Sequence, residues 1–141
     1  MPLALPSKKT LTLEAAKLVA AAGEATAVKN GWKVVIAVVD DGGHAIYLQR
    51  LDGTQSSSVG TALGKARTAV GFKRPTRLLE EMVNNGRYSF LSVAGEPVLL
   101  QGGLPIEVDG QLVGAVGVSG VKASDDEIVA QAGIDALRAA L

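Results

Sequence analysis

Apolar and polar positions follow two different periods along this chain. Ala15, Leu18, Ala22 and Ala25 recur at helical spacing, with Thr12 placed to cap the first turn, Glu14 inside it and Asn30-Gly31 as the stop. Residues 34 to 39, VVIAVV, are β-branched, too short and too uniformly apolar for a surface helix, and the DDGG that follows suits a hairpin turn. The partner strand reads HAIYLQR. Strict alternation puts His44, Ile46, Leu48 and Arg50 on one face and Ala45, Tyr47 and Gln49 on the other.

Further on, VGTALGKARTAVGF predicts a helix with a slim edge of Ala62, Ala66 and Ala69, and Thr76 is placed to cap a second helix ending at NNG. RYSFLSVAGEP reads as a loop leading into VLLQ. A second hairpin has Leu104, Ile106 and Val108 alternating, Asp109-Gly110 as its turn and QLVGAVGVSG as the return. The last helix opens on Ser124-Asp125-Asp126-Glu127, a capping-box pattern, with Ala130, Ile134, Leu137 and Leu141 at helical spacing. Strands joined by tight turns are antiparallel neighbours, so this order predicts one α/β (α+β) domain over residues 1–141, with an antiparallel sheet flanked by helices.

Composition narrows the chemistry. The 14 Lys+Arg balance 14 Asp+Glu, which removes the net positive field of a non-specific nucleic-acid or membrane binder. No apolar run reaches the roughly 20 residues that span a bilayer, and MPLALPSKKT lacks the regions of a signal peptide, so a soluble cytoplasmic protein is expected. The absence of cysteine excludes disulfides, thiolate zinc sites, iron–sulfur clusters and a Cys nucleophile. With a single histidine, no multi-His metal site can form within one subunit.

The stretches VVIAVVDDGGHAIYLQRLDG, KARTAVGF, GGLPIEVDGQLVGAVGVSG and DDEIVAQAG together resemble the GlcG/HbpS-like family, a heme-binding-protein superfamily whose relatives include the C-terminal domain of PduO-type proteins. The resemblance covers roughly residues 10 to 141. It implies a profilin-like fold with a central antiparallel sheet of about five strands, and assembly into dimers or larger rings. For activity it implies a small-ligand-binding module that takes heme, a related tetrapyrrole or a small organic acid at a pocket near a subunit interface. The alternative is a small cofactor-free enzyme, a hydrolase or isomerase acting on an organic-acid catabolic intermediate.

Six positions are candidates for ligand contacts. His44 is either an axial ligand to heme iron or a strand-start histidine bonded to a neighbour; the lack of C-x-x-C-H makes any heme non-covalent. Tyr47 and Tyr88 are the substitutes should His44 not serve. Arg50 shares His44's predicted face about 20 Å away, either contacting a heme-sized ligand or pairing with Asp52 or another chain. Between Gly53 and Leu79 there is no acidic residue, while Lys65, Arg67, Lys73, Arg74 and Arg77 make the segment +5. Lys65 and Arg67 there either bind an anion or form a basic surface pairing with Asp125 to Glu127; two apart on a helix, they cannot both be central, and Lys65 is expected to be the anchor. Gly102 and Gly103 permit close backbone approach, to a ligand or a partner subunit. Glu96, between Gly95 and Pro97, is with His44 the candidate acid–base group if the protein is an enzyme.

Overall fold

The computed structural model describes residues 1–141. Its order is α1 (Leu13–Asn30), β1 (Val35–Asp40), β2 (Ala45–Arg50), α2 (Ser57–Phe72), α3 (Thr76–Asn84), a short 3-10 helix (Tyr88–Ser92), β3 (Gly103–Val108), β4 (Gln111–Ser119) and α4 (Ala123–Ala139). The strands form one antiparallel sheet in the order β2-β1-β4-β3. The sheet has four strands against the about five expected, and VLLQ runs irregularly into β3.

Both faces of the central strands are covered, which explains why VVIAVV is apolar throughout. Val34, Ile36, Val38, Val116 and Val118 face α1 and α4, where Val19, Ala20, Val129 and Ile134 complete the larger core. Val35, Ala37 and Val39 face α2, meeting Ala62, Ala66 and Ala69. The slim edge read from the sequence is therefore the surface that α2 lays on the sheet. A Cβ at Gly117 would collide with the Ala62 carbonyl oxygen, so only glycine lets α2 approach this closely.

Several local expectations hold and others are corrected. Thr12 caps α1, its hydroxyl accepting from the Ala15 N–H at 3.1 Å, and Gly31 ends the helix in the left-handed region at φ 70°. Thr76 does not cap α3. It is the first helical residue, fully buried, and accepts from the Gly103 N–H at 2.9 Å, so it ties α3 to β3. The capping box on α4 does not form either, because the helix begins at Ala123. Asp126 reaches back instead to accept the Val121 N–H at 3.1 Å.

The face assignment of β2 is half right. The register slips between Val38↔Tyr47 and Val39↔Ala45, leaving Ile46 as a bulge residue that packs against the α1/α4 core. Leu48 and Arg50, opposite Ala37 and Val35, lie on the α2 side as alternation predicts. Beyond the bulge the parity is lost, so His44 no longer shares their face.

Candidate functional site

Three segments converge at the β1–β2 end of α2. The first is the turn after β1, in which the Asp40 carboxylate accepts from the backbone N–H groups of Gly42 and His44, each at 2.9 Å, fixing the double-glycine turn. The second is α2 itself, whose Gly64, Arg67, Thr68 and Gly71 recur at three and four residues and so share a face. The third is the segment 94–97, seated on α2 by a hydrogen bond from the Val98 N–H to the Thr68 hydroxyl at 2.9 Å. Gly64 is needed for this seating, since a Cβ there would run into Val98.

Between them opens a cleft of about 270 Å³, lined by Asp41, Gly42, Gly43, Arg67, Thr68 and Glu96 among others. Phe72 also lines it and is held by the Phe90 ring, with centroids 5.4 Å apart. The cleft brings together two of the candidates, Arg67 and Glu96, and the turn carrying a third, His44. The Arg67 stem lies against this turn, about 3.8 Å from where a Gly43 Cβ would be.

The electrostatics are uneven. Arg67 is exposed and makes no ion pair, so its guanidinium is free for an incoming anion. Asp41 is already neutralised by Lys8 at 2.6 Å, a hydrogen bond that pushes its carboxyl below the usual range and raises the lysine. Glu96 carries a left-handed backbone, φ 52°, immediately after Gly95 at φ 93°. Non-glycine residues held in this region concentrate at functional sites. The His44 imidazole is exposed and has no hydrogen-bond partner; its backbone is engaged, the N–H donating to the Asp40 carboxylate and the carbonyl accepting the Asp40 N–H, each at 2.9 Å.

The remaining candidates lie elsewhere. Lys65, expected to be the anion anchor, is 2% exposed and pairs with Asp126 at 3.0 Å on the sheet side of α2. The helical argument that only one of Lys65 and Arg67 can face a cleft is sound, but the one that lines it is Arg67, because the alanine face that carries Lys65 is the one packed on the sheet. The pairing of the basic segment with Asp125 to Glu127 is realised in two ways, as the buried Lys65–Asp126 contact and as a partly exposed ion pair between Arg77 and Glu127 at 3.4 Å. Gly102 and Gly103 are buried under Lys65: a Cβ at Gly102 would stand 2.8 Å from its Nζ, and one at Gly103 would strike its carbonyl. They admit α2, not a ligand. Arg50 is exposed at the far end of β2, unpaired with Asp52. The Tyr47 hydroxyl donates to Gln49 at 3.2 Å, and Tyr88 is 65% exposed on the 3-10 helix.

Asp41, Thr68 and Phe72 escaped sequence reasoning. The helical recurrence of Gly64, Thr68 and Gly71 beside Arg67 was the available signal for Thr68.

The comparisons with known proteins agree with this architecture. Residues 11–135 match the family model described as haem degrading protein HbpS-like. The protein GlcG of Escherichia coli (strain K12) is 46% identical over 117 residues, 82% of this chain and 85% of that protein. The crystal structure of Klebsiella pneumoniae protein ORFY superposes with a TM-score of 0.89 at 34% identity, covering 98% of this chain and 99% of the other. A solved heme complex of PduOC superposes at 0.84 with 30% identity, covering 91% of this chain and 95% of that one. With the family model spanning most of its length and GlcG so close, this chain belongs to the HbpS-like family.

Proposed function

We propose that the protein binds heme, or a related tetrapyrrole, non-covalently at the cleft between the 40–44 turn, α2 and the 94–97 segment. The observation that carries this reading is the unpaired Arg67 guanidinium in a cleft bordered by the turn that holds the only imidazole of the chain. The donor set fits the group in kind. A guanidinium is suited to a propionate carboxylate, and an imidazole nitrogen free of other partners is a common axial ligand. Heme, when bound, would supply a redox-active iron; Arg67 would hold a propionate, the His44 imidazole would bind the iron, and the double-glycine turn would allow close backbone approach.

Size sets the form of the complex. The cleft of about 270 Å³ lies just below the range of about 300–1,000 Å³ typical of sites that enclose a ligand whole, so it holds an edge of the macrocycle. The rest rests against a second subunit, and the protein acts as a cytoplasmic homo-oligomer. In support, no helix is long and apolar enough to cross a membrane. Hemin titration followed by the Soret band tests the reading.

A second reading rests on Glu96. Its left-handed backbone places a carboxylate in the same cleft as Arg67, the arrangement a small cofactor-free hydrolase or isomerase would use on an organic acid. Turnover of an organic acid that disappears in Glu96→Gln while binding persists would favour it over heme binding.

A further inference from the structure

The two edges of the sheet are not alike. At the β3 edge, the Val118 N–H bonds the Gly102 carbonyl at 3.0 Å, so Gly102↔Val118 and Leu104↔Val116 are the hydrogen-bonded pairs. Pro105, opposite Ala115, therefore has its backbone nitrogen at the free edge, where it offers no donor. This is the usual way of blunting an edge strand.

The β2 edge has no such block. The Leu51 N–H donates to the Val34 carbonyl at 3.1 Å, which makes Gln49↔Ile36 and Tyr47↔Val38 the hydrogen-bonded pairs of this ladder. Leu48 and Arg50 accordingly turn their N–H and C=O groups outward. The bulge at Ile46 lies before this stretch, so residues 47–50 remain regular. The strand contains neither proline nor lysine, and its one charge, Arg50, is at its end. On the α2 side, Leu48 is 36% exposed, since α2 covers β1 and β4 and leaves β2 largely bare.

We infer that the β2 edge is a self-association surface on which a second copy of this chain pairs antiparallel about a two-fold axis through Leu48. The inference rests on the homo-oligomeric part of the reading above. Each Leu48 exchanges both backbone bonds with its counterpart, and the two four-stranded sheets become one continuous sheet. The two leucine side chains meet about 5 Å apart on the same face, covering apolar surface that α2 leaves open. No like charges are opposed, because the two Arg50 residues stand about 13 Å apart, four strand steps across the axis.

The absence of native cysteine makes the geometry directly readable. Leu48→Cys places two thiols across the axis at a Cα separation of about 5.5 Å, inside disulfide range, whereas Arg50→Cys places them far outside it. Under mild oxidation most of Leu48→Cys should run as a covalent dimer on non-reducing gels, and Arg50→Cys should stay monomeric. Leu48→Pro, acceptable to the monomer fold because its nitrogen faces the free edge, should halve the sedimenting mass with an unchanged circular dichroism spectrum. An oligomeric wild type whose Leu48→Cys form does not cross-link overturns the pairing but leaves the oligomer reading intact; a monomeric wild type overturns both.

Discussion

Lys65 and Asp126 meet inside the molecule with Nζ and Oδ2 3.0 Å apart, although 61 residues separate them in sequence and each is only 2% exposed. The ammonium also donates to the Val118 carbonyl at 2.9 Å, and the second carboxylate oxygen accepts from the Val121 N–H at 3.1 Å. The contact thus joins α2, the end of β4 and the start of α4. Its polar groups are matched by hydrogen bonds, as a buried pair requires.

Removing one partner strands the other charge. Lys65→Met should destabilise the fold by about 3–5 kcal/mol, read from urea denaturation, while leaving ligand affinity per folded molecule unchanged. The double variant Lys65→Met/Asp126→Leu should recover much of the loss, since well-packed apolar residues commonly replace buried pairs without cost. A weakened ligand affinity in folded Lys65→Met would return this residue to the site.

Asp126 also sets a pH dependence. Burial raises its carboxyl above the ordinary value of 3.8, outweighing the opposing pull of Lys65 and the Val121 N–H. The folded state therefore holds this proton longer than the unfolded one. Its contribution to stability is fully present below pH 3.8 and is lost as pH rises through the folded pKa. Comparing the pH–stability curves of wild type and Asp126→Asn should show this slope in the former alone.

Close packing of α2 predicts a third outcome. Gly117→Ala puts a methyl group against the Ala62 carbonyl and 2.5 Å from the Ala66 nitrogen, so the helix must lift from the sheet. A loss of about 1–3 kcal/mol is expected, the scale of an overpacked core, measured as a lower midpoint of thermal or urea unfolding.

These contrasts show what was legible in the sequence. The hairpins were readable because turn chemistry is local: Asp41-Gly42 and Asp109-Gly110 announce their turns whatever surrounds them. The α1 cap was readable for the same reason. Lys65 was misjudged because charge predicts exposure, and nothing within α2 reveals an aspartate waiting on α4. The face of His44 was lost to a bulge at Ile46, an insertion that alternation by itself cannot register. Thr76 offered a capping pattern, but the Gly103 N–H competed for its hydroxyl from across the fold. The cleft itself is the product of three distant segments, of which only Arg67 and Glu96 stood out beforehand.

Arg67 should be separable from the fold. Because it makes no ion pair and is exposed, Arg67→Met should leave the unfolding midpoint within about 0.5 kcal/mol of wild type. It should nevertheless weaken hemin binding by about 1.5–3 kcal/mol, the range of a hydrogen bond to a charged group. Isothermal titration of the variant beside wild type measures both the affinity and, through stoichiometry, the folded fraction.

The central claim is that the cleft containing Arg67 and bordered by the turn that carries His44 holds heme, and hemin titration of wild type and His44→Ala at neutral pH, followed by the Soret band, tests it most directly. The account predicts a saturable Soret band in wild type and a shifted or abolished one in His44→Ala, with both proteins giving the same circular dichroism spectrum. A wild type that yields no Soret band beyond that of free hemin, or a His44→Ala spectrum identical to wild type, would contradict it.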